Sequence, residues 1–517
     1  MSDAATFNLC DYFLGPARLS LIGNDPAIIY RSETLTYANL RRLVDEWAAR
    51  LLQREIGEGD RVALLLYDSP LFIAAFLACA RIGAISVPIN TALTAEDVQF
   101  IINDSGARMV ICEVELQVKL ASLESAAPAS TAIISVDARS WAFDENRAGN
   151  SSEVAAKTSG ETPAFMLYTS GSTGTPKGAL HRHAAPHDTA QTFGANVLRL
   201  TAADRVYSSS RLFFAYGLGN SLTFPLAAGA TVILDAERPT PERIAQLFSE
   251  AAPTVFFGVP AIYRALLDFD KSSALDTSSL RLCVSAGEAL PARIFEDWRA
   301  RFGLDILDGI GSTEMLHIFI SNRMGETRAG SSGRVVDGYA ARLLDDAGCE
   351  AAEDVPGNLW VKGASAFVSY WDRAELTAAT IQDGWVRTGD VYRRDAEGFF
   401  YHIGRSDDCF KVSGLWVSPV EVESVLVAHP AVVEAAVVAA TGADGLATAR
   451  AFVVIRTEGD ADKLRTELEA FTRARLPRYK APSQIIFVES LPRTATGKVQ
   501  RFKLRQHGVN SSTEEQA

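Results

Sequence analysis

The sequence predicts an α/β fold built in more than one domain, and three observations support this prediction. The chain has 517 residues, which exceeds what a single hydrophobic core normally supports. Its 48% hydrophobic and 22% charged residues are typical of a globular protein. Short apolar runs alternate with amphipathic segments as far as Arg405, and this alternation indicates strands and helices that follow one another along the chain.

The apolar runs have the length and composition of strands that are buried on both faces of a parallel sheet. They are short, β-branched or aliphatic, and bounded by polar or turn residues. A capping box at Thr94–Asp97 predicts a helix that ends at Ser105–Gly106. The stretch Leu71–Ala80 is too short for a membrane span and predicts a core helix. The predicted strands are Arg61–Tyr67, Met109–Cys112, Ala230–Leu234 and Thr254–Phe257.

Charge, cysteine spacing and the first residues limit the partners and the compartment. A net charge of −13 argues against nucleic acid as a partner, because binding a phosphate backbone needs a basic face. The six cysteines lie far apart without a Cys-x-x-Cys pair, which predicts reduced thiols rather than a zinc site or a disulfide framework. The first residues lack the basic and apolar segments of a secretory signal. We therefore expect a cytoplasmic, soluble protein without a membrane partner.

The pattern of elements changes after Gly404–Asp408. The elements that follow are shorter: a Pro-started helix over 419–429, a valine-rich strand over 432–438 and a charged helix over 460–475. We place a domain boundary here, so that residues 1–405 form a large N-terminal domain and residues 406–517 a small C-terminal domain.

A loop of glycine and hydroxyl residues, closed by a lysine, follows the predicted strand Pro163–Tyr168. Small residues let backbone amides approach an anion, hydroxyls donate to its oxygens, and the lysine supplies the opposing charge. The pattern predicts a cradle for nucleotide phosphates; the alternative is a flexible linker. It is not the usual P-loop, because Pro176 precedes the lysine and Gly178 follows it. The candidate phosphate-binding residues are Thr169, Ser170, Gly171, Ser172, Thr173, Gly174 and Lys177.

This loop resembles the phosphate-binding signature of the adenylate-forming superfamily, which includes acyl-CoA synthetases, adenylation domains and firefly-type luciferases. The resemblance implies a large N-terminal domain of α/β layers with mixed sheets, which binds ATP and the acyl group, and a small mobile α+β C-terminal lid. It also implies ATP, Mg²⁺ and CoA as ligands. Four further motifs in the superfamily's order extend the resemblance over nearly the whole chain.

The segment Gly309–Glu314 is the most informative of these motifs. A carboxylate beside a hydroxyl after a glycine turn can hold Mg²⁺ against phosphate oxygens; the alternative is a turn with an exposed glutamate. The resemblance implies that Thr313 touches the α-phosphate and that Glu314 binds the metal, both as catalytic residues. Asp308, Gly309 and Ile310 are then nucleotide-binding residues, with Ile310 where tyrosine is common against the adenine.

Two more motifs resemble nucleotide contacts. In Ser285–Leu290, Gly287 and Glu288 correspond to residues that flank the adenine. In Arg387–Asp390, the aspartate corresponds to the ribose ligand, a role that suits a carboxylate facing two vicinal hydroxyls; the alternative is a surface turn. Arg405 is expected at the ribose as well, and Asp407 matches the superfamily's hinge position.

The C-terminal motif Leu491–Lys498 resembles the segment that carries the superfamily's catalytic lysine. A cation there would orient the attacking carboxylate and offset charge at the α-phosphorus. Taken alone, Lys498 reads as a solvated lysine, and its context also resembles an acetylation site. Lys411 and Gly414 are expected to line the entry for CoA, on the face that reaches the site after the small domain turns about Asp407.

The acid-binding segment Arg211–Gly219 disfavours amino acids as substrates. Ala215 occupies the place of the aspartate that pairs with a substrate ammonium, and a buried ammonium without a counter-charge is costly. Phe213, Phe214 and Tyr216 suggest a flat apolar slot for a ring, or else ordinary core aromatics.

Three segments together resemble the benzoate–CoA ligase branch of the superfamily: Phe213–Asn220, Gly311–His317 and Lys177–His183. The resemblance implies that Ala215, Tyr216, His317 and Ile318 line an aryl pocket. His317 is expected to donate to the carboxylate or to a ring substituent, with a packing role as the alternative.

The function implied is an aryl-CoA ligase that forms an aryl adenylate and then transfers the aryl group to CoA. Benzoate, 2-aminobenzoate, hydroxybenzoates and fluorobenzoates remain open as substrates. The alternatives are an enzyme that loads a carrier-protein thiol, a luciferase-like oxygenase, and an inactive homologue that binds nucleotide. The protein is expected to be a monomer or a homodimer.

Overall fold

The computed structural model describes residues 6–121, 131–138, 155–170, 175–270, 274–412, 415–441, 447–456, 460–493 and 499–510, without the side chains of Ser170 and residues 506–510. The chain divides into two compact units. Unit 1 comprises Met1–Ala341, Val361–Val386 and Gly398–Phe400. Unit 2 comprises Arg342–Trp360, Arg387–Glu397 and Tyr401–Ala517. The domain boundary predicted between residues 405 and 406 stays a prediction.

The strands are numbered in chain order. They are β1 Pro26–Tyr30, β2 Glu33–Thr36, β3 Arg61–Leu65, β4 Ile85–Pro88, β5 Met109–Glu113, β6 Ala132–Val136, β7 Pro163–Ser170, β8 Pro176–Arg182, β9 Arg205–Ser208, β10 Thr231–Leu234, β11 Val255–Gly258, β12 Leu282–Ser285, β13 Ile306–Gly311, β14 Ile318–Ser321, β15 Arg334–Val335, β16 Tyr339–Leu344, β17 Gly357–Gly363, β18 Ser369–Tyr370, β19 Ile381–Gln382, β20 Trp385–Arg394, β21 Phe400–Arg405, β22 Phe410–Val412, β23 Leu415–Val417, β24 Val432–Thr441, β25 Ala447–Ile455 and β26 Gln484–Phe487.

The α-helices are numbered in the same way. They are α1 Leu9–Leu14, α2 Pro16–Ile22, α3 Tyr37–Leu52, α4 Pro70–Arg81, α5 Ala95–Ser105, α6 Ala185–Thr189, α7 Ala215–Leu218, α8 Phe224–Ala228, α9 Pro241–Ala251, α10 Pro260–Asp270, α11 Ala292–Phe302, α12 Ala374–Thr380, α13 Pro419–Val427, α14 Ala461–Arg473 and α15 Arg501–Asn510. Val114–Leu120 is a 3₁₀-helix, and Ala190–Leu198 and Gly219–Thr223 are π-helical.

Two mixed sheets form the body of unit 1. Within the described residues, the larger has the strand order β15-β14-β13-β12-β11-β9-β10-β1-β2, and the smaller has the order β18-β8-β7-β4-β3-β5-β6. The middle of each sheet is parallel, as in β9–β11–β12 and β4–β3–β5. The larger sheet ends on one side in the antiparallel pair β1–β2. Each sheet also has an antiparallel edge, at β13–β14–β15 in the larger and at β7–β8–β18 in the smaller. These two antiparallel edges carry most of the candidate site residues.

The sequence-based elements of the body are confirmed. The four predicted strands correspond to β3, β5, β10 and β11, whose residues are almost all buried. Thr94 caps α5 by accepting from the amide of Asp97, and Gly106 ends it with a left-handed φ of 60°. The predicted core helix is α4, in which every residue is buried. No helix in the described ranges has both the length and the hydrophobicity that a bilayer crossing requires.

Unit 2 contains a sheet with the strand order β24-β25-β26, packed by α13 and α14. The predicted helices over 419–429 and 460–475 correspond to α13 and α14, and the predicted strand corresponds to β24. Alternate residues of β24 and β25 pack with Val422, Leu426 and Leu468 in one apolar cluster. All six cysteines of the chain are free thiols, as predicted from their spacing.

Candidate active site

The predicted phosphate loop joins two antiparallel strands. Thr169 of β7 pairs with Lys177 of β8, so the loop leaves and re-enters the sheet at neighbouring positions. A Cβ on Gly178 would lie 2.4 Å from Sδ of Met166, which explains why glycine follows the lysine. Thr169 and Lys177 are half-buried. Gly171, Ser172, Thr173 and Gly174 lie outside the described residues, as does the side chain of Ser170.

Lys177 contacts a tyrosine that links it to Glu314. Its Nζ donates to the Tyr370 hydroxyl at 2.9 Å and lies 4.1 Å from the centre of that ring. The same hydroxyl donates to Oε1 of Glu314 at 2.5 Å. The three residues form what we call the charged cluster: Lys177, Tyr370 and Glu314. It joins two segments that the sequence assigned separately to phosphate and to metal.

The turn after β13 presents Thr313 and Glu314 as half-buried side chains. The backbone carbonyl of Glu314 accepts from the amide of Phe367 at 2.7 Å, and the amide of Met315 donates to Oγ of Ser312 at 3.2 Å. Leu316 has a φ of 66°, a left-handed conformation that is uncommon for a residue with a branched side chain. Such conformations persist where the surrounding contacts hold them, and they concentrate at functional sites.

The residues expected around the adenine lie on β12 and β13 or just after them. Gly287 and Glu288 are exposed, and Gly287 has a φ of 91° that favours glycine. Gly309 and Ile310 belong to β13, where Ile310 is half-buried. Asp308, by contrast, is 5% exposed, and its burial raises the pKa of its carboxyl well above the usual value.

His317 is the centre of a second, neutral cluster. It is 2% exposed, and burial lowers its pKa to about 3. Its Nε2 lies 3.3 Å from the carbonyl oxygen of Tyr216 and 3.1 Å from Oδ1 of Asn220. Both atoms accept, so Nε2 carries the proton and Nδ1 is left as an acceptor. In this tautomer Nδ1 carries no proton, and the expected role of His317 toward a substrate stays a prediction.

Aromatic rings enclose the His317 imidazole. The ring centres of Phe193, Tyr216 and Phe224 lie 5.3, 5.5 and 4.5 Å from that of His317. Within the part of the chain that the structure describes, Nδ1 of His317 is buried without a hydrogen-bond partner. We call His317, Tyr216 and Asn220, with these rings, the neutral cluster.

A π-helical segment places Asn220 against the imidazole. The helix that begins at Ala215 continues as the π segment Gly219–Thr223, and π-helical turns occur frequently at functional sites. A Cβ on Gly219 would lie 2.3 Å from Cδ2 of His317, so glycine makes room for the ring. Ala215 is half-buried, and Ile318 is 1% exposed at the start of β14.

The aromatic residues of the acid-binding segment separate into core and surface. Phe213 is 6% exposed and packs in the main apolar core, as the core alternative predicted. Phe214 is 36% exposed. The Tyr216 hydroxyl donates to the carbonyl of Gly258 at 3.2 Å, and burial raises its pKa well above the usual value.

The residues expected at the ribose meet within unit 2. Nη1 of Arg405 donates to Oδ1 of Asp390 at 3.1 Å, and to the carbonyl of Thr388 at 3.0 Å. Gly389 has a φ of 77°, and a Cβ there would lie 2.6 Å from Nη2 of Arg405. Asp390 is 7% exposed. Burial lowers the pKa of the neighbouring His402, so this imidazole, like that of His317, is neutral at neutral pH.

The residues assigned to the hinge and the CoA side also belong to unit 2. Asp407 is exposed, and its carbonyl accepts from Nη2 of Arg505 at 3.0 Å. Nζ of Lys411 pairs with Asp346 and lies 4.7 Å from the centre of a Trp416 ring. Gly414 and Lys498 lie outside the described residues. Their roles, like those of the other site residues, stay predictions.

The described residues contain no group of three or more histidine, cysteine, aspartate or glutamate side chains that could hold a metal ion by themselves. Mg²⁺ bound to a nucleotide needs fewer protein ligands, because it uses one or two carboxylates together with phosphate oxygens and water. Glu314 supplies one half-buried carboxylate. Its Oε1 accepts a hydrogen bond from the Tyr370 hydroxyl. The residues present therefore fit a metal that arrives with ATP.

Two regions of the chain match known families. Residues 21–371 match the family described as AMP-binding enzyme. The chain belongs to the AMP-binding enzymes. Residues 421–498 match the C-terminal domain of the same enzymes. The sequence motifs assigned to the adenylate-forming superfamily are thus confirmed at the level of the family.

Relatives at 38–42% identity are named as aryl-CoA ligases. The chain is 42% identical over 511 residues to a benzoate–CoA ligase of Thauera aromatica, with 96% of each chain covered. It is 39% identical to a 4-hydroxybenzoate–CoA/benzoate–CoA ligase of Rhodopseudomonas palustris, covering 94% of this chain and 91% of the relative. It is 38% identical to an anthranilate–CoA ligase of Pseudomonas aeruginosa, covering 92% of each.

Solved structures agree. A benzoate CoA ligase from Burkholderia xenovorans superposes with a TM-score of 0.87 at 41% identity, covering 96% of this chain and 100% of that one. An anthranilate CoA ligase in complex with anthranoyl-AMP gives a TM-score of 0.88 at 36% identity, covering 97% of each. This places the chain in the benzoate–CoA ligase branch, as an ATP-dependent acid–thiol ligase that forms AMP. Loading of a carrier protein is not favoured.

Sequence reasoning missed Tyr370 and Asn220. The segment Ser369–Trp371 has no glycine, no charge and no spacing typical of a ligand site, so nothing in it indicated a role. Asn220 ends the run Phe213–Asn220 that resembles the benzoate–CoA ligase branch, but the resemblance assigned it no role.

Proposed function

We propose that this enzyme activates benzoate, or a benzoate with one small uncharged substituent, and transfers it to CoA. The observation that supports this substrate class is the neutral cluster around His317. Its aromatic rings suit a flat apolar ring, and its histidine stays uncharged at neutral pH because burial lowers the pKa to about 3. A substrate with an ammonium on its ring would find no counter-charge in this cluster.

The substituent is proposed from the hydrogen bonds of His317. Nε2–H is taken by Tyr216 and Asn220, so a ligand finds only the acceptor Nδ1. A buried acceptor without a partner disfavours ligands that cannot donate. An amino or hydroxyl substituent within reach of Nδ1 is therefore preferred over fluorine at the same ring position.

In the first half-reaction a carboxylate oxygen of the aryl acid attacks the α-phosphorus of ATP. The bond from that phosphorus to the bridging oxygen breaks, pyrophosphate leaves, and an aryl adenylate forms. We propose that Lys177 and the phosphate loop hold the β- and γ-phosphates, that Thr313 donates to the α-phosphate, and that Glu314 holds Mg²⁺. When bound, Mg²⁺ neutralises charge on the phosphates. Positioning and charge compensation provide most of the catalysis in such a transfer.

In the second half-reaction the CoA thiolate attacks the carbonyl carbon of the adenylate and expels AMP. We propose that Asp390 and Arg405 bind the ribose and that Gly287 and Glu288 flank the adenine. Lys411 and Gly414 are assigned to the CoA entry. Asp407 is proposed as the hinge and Lys498 as the lysine of the first half-reaction only. Exchange of one lid face for another lets a single site perform both steps.

The function is tested with a panel of acids assayed for AMP release in the presence of ATP, Mg²⁺ and CoA. The panel comprises benzoate, the 2-amino, hydroxy and fluoro compounds, and cyclohexanecarboxylate as a non-aromatic control. We expect aryl-CoA, identified by mass spectrometry, from the aromatic acids, and a kcat/KM at least about tenfold lower for the control, because the flat slot selects planar rings. Absence of acid-dependent pyrophosphate release would show an inactive homologue. Transfer to a holo-carrier protein but not to CoA would favour the carrier alternative.

Lys498 is tested by separating the half-reactions. Lys498→Ala should slow aryl-AMP formation by about 100-fold or more, since removal of one charge-stabilising group typically costs that much. Thioester formation from supplied aryl-AMP and CoA should stay within about twofold of the parent enzyme. Lys503→Ala, on the nearby helix α15, is the matched control. Equal loss of both half-reactions would contradict the assignment.

A further inference from the structure

The Tyr370 hydroxyl lies between a lysine and a glutamate, two side chains of opposite charge. It accepts from the ammonium of Lys177 at 2.9 Å and donates to the carboxylate of Glu314 at 2.5 Å. Hydrogen bonds to charged groups are shorter and stronger than those between neutral groups. One hydroxyl therefore uses both its acceptor and its donor capacity, each toward an ionised partner.

The fold fixes the Tyr370 side chain independently of these partners. Tyr370 is 3% exposed and pairs with Ala179 across β18 and β8. Its amide donates to Oγ1 of Thr377 at 3.0 Å, and its ring packs edge-on against Phe367 with centres 4.7 Å apart. The hydroxyl is thus presented at a position set by the sheet. Lys177 and Glu314, which are only half-buried, are the groups that this position orders.

We propose that Tyr370 is a positioning residue for adenylate formation. Its hydroxyl holds Oε1 of Glu314, which directs the other carboxylate oxygen toward the metal that accompanies ATP. It also holds the Lys177 ammonium beside the ring, where the ammonium is ordered for a phosphate oxygen. Without the hydroxyl, attraction draws the ammonium and the carboxylate together, and each then competes with the other's proposed ligand. The inference rests on the roles proposed above for Lys177 and Glu314.

The variant Tyr370→Phe isolates the hydroxyl, because it keeps the ring under Lys177 and the contact with Phe367. We expect the Mg²⁺ concentration that gives half-maximal pyrophosphate release to rise about tenfold, in line with the loss of a hydrogen bond to a charged group. Binding of Mg·ATP, measured by calorimetry without the aryl acid, should weaken by a similar factor. Binding of AMP without metal should be unchanged.

Two controls separate positioning from stability. Tyr37→Phe removes another buried hydroxyl, one that donates to the carbonyl of Ala230 at 2.7 Å, and should leave the Mg²⁺ requirement unchanged. Thioester formation from supplied aryl-AMP and CoA reports whether each variant is folded. This half-reaction should be unaffected in Tyr370→Phe, since no phosphate is transferred in it.

A double-mutant cycle decides whether Tyr370 acts through Glu314. In a Glu314→Gln background, Tyr370→Phe should change the Mg²⁺ requirement by less than about twofold, because coupled residues do not contribute independently. An unchanged Mg²⁺ requirement in the single variant, equal loss of both half-reactions, or independent effects in the double variant would each overturn the proposal. Failure of the parent enzyme to release pyrophosphate would instead overturn the proposed function.

Discussion

The charged cluster and the neutral cluster each take one residue from the short segment Glu314–His317 but differ in charge and in burial. Glu314 and His317 are three residues apart in the chain. Glu314 is half-buried and bonded to a tyrosine that also binds an ammonium. His317 is 2% exposed, surrounded by rings, and bonded to a carbonyl and an amide. The proposed polyphosphate site thus lies directly beside the proposed site for an uncharged ring.

The backbone between the two residues explains how they separate. The left-handed φ of 66° at Leu316 turns the chain as it passes from β13 to β14. A Cβ on Gly311 would lie 2.5 Å from the carbonyl oxygen of His317, so the two strands approach closely at this turn. This sharp reversal of the backbone places Glu314 in a charged environment and His317 in an uncharged one, although only two residues lie between them. The separation of charge is therefore a property of the turn rather than of distance.

Removal of the charge from the charged cluster should have the largest effect. Glu314→Gln keeps the shape of the side chain but should slow aryl-AMP formation by about 100-fold to 1000-fold, the range typical of lost charge stabilisation at a phosphoryl centre. Pyrophosphate release across a Mg²⁺ titration measures it. Glu326→Gln, at a glutamate that pairs with Arg334, serves as the control. An effect on the KM of the aryl acid alone would break the distinction between the clusters.

Displacement of the imidazole should affect only the neutral cluster. Gly219→Ala places a Cβ 2.3 Å from Cδ2 of His317, which forces the ring to move. We expect the KM of the aryl acid to rise about tenfold and the free energy of unfolding to fall by about 1–3 kcal/mol, as in other overpacked cores. The KM of ATP should stay the same. Gly57→Ala, where a Cβ meets open space, is the matched control.

Acid should destabilise the protein through its buried histidines. Burial lowers the pKa of His317 and His181 to about 3 and that of His183 to about 4. Between these values and the ordinary pKa near 6.5, the unfolded chain binds more protons than the folded one, so stability rises with pH. Above about pH 6.5 the three residues contribute no pH dependence.

Denaturant titrations between pH 5 and pH 8 check this prediction. Below pH 6.5 each histidine should add up to about 1.4 kcal/mol per pH unit to the slope of the free energy of unfolding against pH. The ring of His181 stacks on Phe165 with centres 5.1 Å apart, so His181→Phe should keep the packing and reduce the slope. A slope that is identical in His181→Phe would exclude this histidine as a source.

The sequence predicted the elements of the body but not where its sheets reverse direction. Strands such as β3 and β5 can be recognised in the sequence as short apolar runs, because both of their faces are buried. Strand direction depends on pairing partners that are distant in the chain, so the antiparallel edges at β8 and β14 could not be predicted. Those edges hold the candidate site, and the family resemblance supplied its residues where composition could not.

The contacts within the site were also beyond the sequence. Lys177 and Tyr370 are 193 positions apart, and only the β18–β8 pairing brings them together. The tautomer of His317 depends on Tyr216 and Asn220, which lie in another segment. Phe213 and Phe214 are adjacent and chemically identical, yet one is core and the other surface. Such differences follow from tertiary packing, which local pattern does not encode.

The π-helical segment Gly219–Thr223 gives the neutral cluster an unusual route for change. A π turn accommodates one residue more than an α turn, so the loss of a single codon within it would return the helix to regular winding. Asn220 would leave the imidazole while the sheets stayed intact. If the neutral cluster binds the acid as proposed, insertion or deletion in this segment changes acid selectivity as substitution does.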